Sequence, residues 1–186
     1  MFSSNIKGLT LVNCISNASG VNCTTKDDLD QLFNNSYTGM CISKSCTLES
    51  RIGNPLPRYS DGNHFSINSS GLPNNGYLFY DNYANTNKYT KPLFVSVSGM
   101  NLPNNQKIIE KIHNNTNIDG IELNLSCPNI IGKPQIGYEF NDMDNTLRKI
   151  SELLDKNSKQ LFGVKLPPYF DISHFNQAAE IINRYP

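Results

Sequence analysis

Cys127 stands just past an apolar run, in Glu122-Leu123-Asn124-Leu125-Ser126-Cys127-Pro128-Asn129, with an asparagine on either side. A thiol at such a place can act as general base or nucleophile if its pKa is matched to the task. Flanking carboxamides can hold a substrate's carbonyls or carboxylate. From spacing alone, a lone cysteine is more often a packing residue than a catalyst. Other polar groups recur at the ends of apolar runs: Asn17, Lys44, Ser98, Asn124 and Lys165. In parallel α/β architectures, chemistry collects at the carboxyl ends of the strands. At any single position the polar residue needs no such explanation, because loops are wet. Repetition over five strand ends points to an active-site face.

The elements that would position these groups are legible as alternating short apolar runs and amphipathic stretches, the pattern of βα units around a parallel sheet. Strands are expected over Leu9–Ser16, Gly39–Lys44, Pro92–Val97, Ile118–Leu125 and Gln160–Leu166. Thr24 or Thr25 caps a helix with Asp27 and Asp28 in its first turn and Leu29, Leu32 and Phe33 at helical spacing. Further helices follow at about Leu102–His113, Glu139–Leu154 and Ser173–Asn183. Between Cys46 and Asn87 runs a long Gly/Pro/Asn-rich excursion with a weak helix near its end. A loop of that length is normally functional or disordered.

Composition narrows the function. Sixteen basic and sixteen acidic residues cancel, with a pI near 6.8, so no electrostatic footprint for nucleic acid or anionic lipid exists. No run of apolar residues is long enough to span a membrane, and the start of the chain lacks the pattern of a secretory signal. A soluble, cytoplasmic protein is expected. Five cysteines, scattered and without a C-x-x-C pair, suit neither a disulfide framework nor a metal site. Cys14, Cys23, Cys41 and Cys46 read as packing residues.

Taken whole, the segment from Glu122 to Gln135 resembles the catalytic loop of the class 1 dihydroorotate dehydrogenases, especially the single-subunit, fumarate-using type (class 1A). Asn17-Ala18-Ser19-Gly20-Val21 is similar to that family's first strand end. Ser43-Lys44-Ser45-Cys46-Thr47-Leu48-Glu49 and Arg51–Tyr59 are similar to the second and its continuation. Ser66–Asn74 matches the substrate-binding stretch, and Gly163–Asp171 the fifth strand end. The resemblance implies a TIM-type (β/α)8 barrel, FMN as cofactor, and oxidation of dihydroorotate to orotate with fumarate as acceptor. It implies Cys127 as the general base, on a loop bounded by Gly132 and Pro134 that acts as a lid. Lys44, Asn68, Ser69, Ser70, Gly71, Leu72, Asn124 and Asn129 are implied to contact substrate. Ala18, Ser19, Gly20, Lys44, Ser45, Asn124 and Lys165 are implied to contact FMN, with Lys165 near the flavin N1/O2 edge. Ser70 departs from the family, which commonly has Met there.

The chain covers roughly the first five βα units of such a barrel. Residues 1–186 are therefore expected to be one partial catalytic domain without the last strands and their FMN-phosphate loops, part of a homodimer when complete. A fragment of a longer enzyme, a truncated remnant that binds no FMN, and one half of a split enzyme all fit this extent. A dihydropyrimidine-type flavoenzyme is the rival within the enzymes, and NAD through a second subunit (class 1B) is the rival acceptor.

Overall fold

The structure is a computed structural model that describes residues 2–35, 37–86, 90–130, 132 and 135–185. Its centre is a parallel sheet of four strands in the order β3-β6-β7-β8. These are β3 (Cys41–Ile42), β6 (Leu93–Val97), β7 (Gly120–Asn124) and β8 (Leu161–Lys165). Residues 94–97 of β6 pair with 120–123 of β7, and 120–124 of β7 with 161–165 of β8. This register puts Ser96, Glu122 and Gly163 in one row on the same face.

The opposite face carries Val95, Val97, Ile121 and Leu123, all fully buried. Helices α3 (Leu102–Ile112) and α4 (Phe140–Ser151) supply Ile108, Ile109, Ile112, Met143, Leu147 and Ile150 to the same core. Their buried positions recur at i, i+3/i+4 and i+7, the stripe of an amphipathic helix. Asn101 caps α3 by accepting the Asn104 N–H at 2.9 Å. Helix α1 (Lys26–Asn34) opens on a capping box between Thr25 and Asp28 and buries Leu29 and Phe33. Helix α5 (Ile172–Ile182) is capped by Asp171, which accepts the Ser173 N–H at 2.7 Å. Local capping and apolar stripes thus place these helices at the positions read from sequence.

Two expectations need correction. The run Leu9–Ser16 is not one barrel strand. Its start, β2 (Leu9–Leu11), pairs antiparallel with β1 (Ser4–Ile6), and only Ser16 bridges the main sheet, at Met40. Val12, Cys14 and Ile15 are exposed, so a run that looked apolar buries little. Gly39 permits this segment's close approach: a Cβ there would lie 1.8 Å from the Asn13 carbonyl oxygen. The excursion from Cys46 to Asn87 also carries more order than expected. It holds a hairpin, β4 (Tyr59–Gly62) with β5 (Phe65–Asn68), before the helix expected near its end, α2 (Tyr77–Thr86). All eight hairpin residues are exposed. Asn87, the end of that excursion, and the residues 131, 133 and 134 of the expected lid lie outside the described residues.

Candidate functional site

The carboxyl ends of the strands carry a connected set of polar groups. Asn17 continues the sheet with its side chain: its Nδ2 donates to the Ile42 carbonyl at 2.7 Å, and its Oδ1 accepts the Ile42 N–H at 2.9 Å. That anchors Ala18–Gly20 beside Lys44 and Ser45. Ser19 and Ser45 hydroxyls are 2.9 Å apart, and the Ser45 N–H donates to Ser19 Oγ at 2.8 Å. Ser45 Oγ also lies 2.8 Å from Ser96 Oγ and accepts from Asn124 Nδ2 at 3.0 Å. Ser96 donates to Glu122 Oε1 at 2.7 Å, and Glu122 pairs with Lys165 at 3.4 Å. Lys165 Nζ reaches back to the Ser19 carbonyl at 3.5 Å. Residues 17–20, 44–45, 124 and 165 therefore meet on one rim.

Lys44 is the unusual member. It is only 8% exposed, and among the described residues no carboxylate lies within ion-pair distance of its ammonium. Burial pushes its pKa below the ordinary lysine value. The Cys23 thiol works against that shift, Lys165 adds to it, and Cys127 again opposes it. Cys127 is half-buried and so lies within electrostatic reach of Lys44. A desolvated cation with another cation beside it and no acid to neutralise it is costly. The arrangement is suited to an anionic or electron-rich ligand.

A second group closes the rim. Asn129 Nδ2 donates to Asn68 Oδ1 at 2.8 Å, which ties the loop after β7 to the end of β5. Asn54 Nδ2 donates to the carbonyls of Ser69 and Asn129 at 2.7 and 3.1 Å. Gly71 and Leu72 both have positive φ, +70° and +60°. A left-handed leucine is uncommon and stores strain. Gly71 has no alternative, because a Cβ would lie 2.2 Å from Asn54 Oδ1. Asn68 and Ser69 are exposed, whereas Ser70, Gly71 and Leu72 are buried.

Sequence reading missed Ser96, Glu122 and Asn54. The signal for the first two was present: each is a lone polar residue inside an otherwise apolar strand, and both fall on the face that carries Asn124. A concavity of about 690 Å³ opens at the opposite end of the strands between Lys7–Leu9 and Asp155–Phe162. Its buried histidine, His113, already has partners on both ring nitrogens, Gln160 and the Asp155 N–H. Among the described residues no cluster of three or more His, Cys, Asp or Glu gathers.

The family model for dihydroorotate dehydrogenase matches residues 1–186. The chain belongs to the dihydroorotate dehydrogenase family. It is 47% identical over 186 residues to a dihydroorotate dehydrogenase (fumarate) of Trypanosoma brucei brucei, covering 98% of this chain and 58% of the relative. It is 44% identical over 191 residues to dihydroorotate dehydrogenase A (fumarate) of Lactococcus lactis, covering all of this chain and 60% of the relative. The chain thus spans about three-fifths of the length of these relatives. Two crystal structures of a dihydroorotate dehydrogenase from Eimeria tenella, one with ferulenol and one ligand-free, superpose with TM-scores of 0.72 and 0.74 at 19% identity. They cover 98% of this chain and 56% and 58% of their own chains. The fold is the one expected, an α/β parallel sheet that forms part of the family's barrel.

The rim also meets a chemical requirement of FMN. Buried Lys44 and ion-paired Lys165 supply positive charge, and Ser19, Ser45 and Asn124 supply polar groups, on one side of the open strand ends. A ring that becomes anionic on reduction needs such fixed cations.

Proposed function

We propose that this protein works as a fumarate-type dihydroorotate dehydrogenase of pyrimidine biosynthesis, oxidising dihydroorotate to orotate with FMN and passing the electrons to fumarate. The observation that carries this reading is Lys44, a buried ammonium without an acidic partner among the described residues, on the rim that also carries Lys165 and Asn124 and within the influence of the Cys127 thiol. When bound, FMN supplies the hydride acceptor. Ala18, Ser19, Gly20, Lys44, Ser45, Asn124 and Lys165 hold it. Asn68, Ser69, Ser70, Gly71, Leu72, Asn124 and Asn129 hold the pyrimidine, and Lys44 neutralises its carboxylate.

Cys127 removes the C5 proton of dihydroorotate as general base. The Asn129–Asn68 and Asn54–Asn129 bonds keep its loop over the substrate and help exclude water. Residues 1–186 are one partial catalytic domain, and the working enzyme is a cytoplasmic homodimer. Among the described residues no helix is long and apolar enough to cross a membrane.

Stopped-flow flavin bleaching by dihydroorotate, in protein completed to the length of its relatives, tests the reading. Cys127→Ser should slow bleaching by about 100-fold or more at neutral pH, the size of a lost general base. An unchanged rate removes Cys127 from the chemistry. The 186-residue chain alone should show no measurable turnover with added FMN.

A further inference from the structure

The polar chain across the rim has a direction. Glu122 Oε1 accepts from Ser96 and is held in an ion pair with Lys165. A carboxylate in such a pair has lone pairs and no proton, so Ser96 commits its one hydroxyl proton to Glu122. Ser45, 2.8 Å from Ser96, must then be the donor of that pair. With its own proton committed, Ser45 Oγ accepts on both lone pairs, from Asn124 Nδ2 and from Ser19. The Asn124 amide cannot be turned round, because its Oδ1 accepts the Ser126 N–H at 2.9 Å. The Ser19 proton is therefore directed into the chain, and a proton on Glu122 is what would allow the whole series to reverse.

We infer that Glu122 is a positioning residue: it fixes the direction of the Ser19–Ser45–Ser96 hydroxyl series from two hydroxyls away and makes Ser19 an acceptor, never a donor, toward the ligand. Ser19 Oγ already accepts the Ser45 N–H, which leaves one lone pair for a ligand N–H. Glu122 also offsets the Lys165 charge. Its significance for a flavin rests on the functional reading above, whereas the direction of the series is a property of the chain itself.

A double-mutant cycle on unfolding of the protein by urea tests the direction without any cofactor. Glu122 and Ser19 make no bond to each other; both touch Lys165, but Ser19 does so only through its backbone carbonyl, which Ser19→Ala keeps, and side chains without shared contacts normally act additively. Glu122→Gln and Ser19→Ala should instead deviate from additivity by about threefold or more in the unfolding equilibrium constant. The deviation should vanish in a Ser45→Ala background, where the series is cut. Additive behaviour overturns the inference. If Glu122→Gln does not fold, Ser96→Ala replaces it in the same cycle with the same expected outcome.

A second measurement follows the flavin. In FMN-loaded protein, Glu122→Gln should move the flavin midpoint potential to more positive values, because Lys165 then acts without its counter-charge on a ring that becomes anionic. An unchanged potential overturns the link from Glu122 to the cofactor. Failure of the unsubstituted protein, completed to the length of its relatives, to bind FMN overturns the functional reading instead, and the cycle alone then decides the direction of the series.

Discussion

Strands β7 and β8 are neighbours with similar apolar sequences, Gly-Ile-Glu-Leu-Asn and Leu-Phe-Gly-Val-Lys, and both deliver a residue to the rim. Their surroundings differ. In β7 all residues but Glu122 are buried, whereas every residue of β8 is at least partly exposed. The two glycines make the contrast sharp. A Cβ on Gly120 would meet the Phe94 ring at 2.2 Å, and one on Gly163 would meet nothing within 4 Å. The strand β3, at the other end of the ladder, is buried as well, with Cys41 fully covered and Ile42 7% exposed. It gains cover from α1, and the Met40–Ser16 bridge precedes it. Burial of a strand is thus a property of its neighbours. Asn124 sits on a strand paired along both edges and Lys165 on one that, among the described residues, is paired along a single edge.

The largest test of that contrast is truncation within β7. Leu123→Ala, at a fully buried position, should cost about 3 kcal/mol, through lost transfer energy and the cavity left behind. Val164→Ala in β8 should cost less than about 1 kcal/mol, because its side chain is only partly buried. Equal shifts in the urea midpoint would abolish the distinction. Overpacking should follow the same order: Gly120→Ala should cost about 2 kcal/mol as Phe94 is forced to move.

Alkaline pH probes the two ends of the ladder. Burial pushes the thiols of Cys41, in β3, and Cys46 up to about 12, against an ordinary value of 9.0. Between those values the unfolded chain has lost protons that the folded chain keeps. Their contribution is therefore complete below pH 9 and is lost as pH rises toward 12. Lys44 runs the other way: held below its ordinary 10.5, it releases its proton in the folded state first and adds stability as pH rises toward 10.5, and nothing more beyond it. The two thiols outweigh it, so the urea midpoint should fall above pH 9, and Cys41→Ala should flatten the fall.

Smaller effects complete the series. Lys44→Met should raise stability at neutral pH by about 1 kcal/mol, since an unpaired buried charge gives way to an apolar chain of similar length, while FMN binding weakens. A destabilised Lys44→Met protein would mean that the ammonium has a partner. Gly163→Ala should be neutral or stabilising by about 0.5 kcal/mol, because the site is open and the unfolded chain loses freedom.

The helices were legible in the sequence because their determinants are local: Thr25 with Asp28, Asn101, Asp171, and apolar residues one turn apart. The sheet strands from Gly39 onward were legible for the same reason, as short apolar runs between turn signals. The hairpin β4–β5 escaped because it has no buried face and because its turn, Asn63-His64, lacks the glycine of the usual two-residue turns. The first strand was overread because Val12 and Ile15 are apolar yet exposed. Of the site, the groups brought together at the rim were readable as polar strand ends. Ser96 and Glu122 left only the trace of a polar residue inside an apolar strand, and Asn54 left none, because their importance lies in which strand or loop stands beside them, and a single sequence does not state its neighbours.

One contact near the start of the chain has a consequence for how the rim can be built or altered. Where a backbone ladder would otherwise continue beyond Ser16, the Asn17 carboxamide stands in for a peptide group, donating and accepting on the same residue, Ile42. A side chain that mimics a peptide lets the main chain leave the sheet early and turn across the open end, so that Ala18–Gly20 become a ledge. At its start the ledge is fastened by two bonds that sit on one rotatable group, as a hinge pin is, and further along by the Ser45 N–H on Ser19 Oγ. Aspartate offers the acceptor without the donor, and leucine offers neither. The position is therefore a mechanical joint between scaffold and ledge, where a one-atom change would loosen the ledge and leave the strands standing.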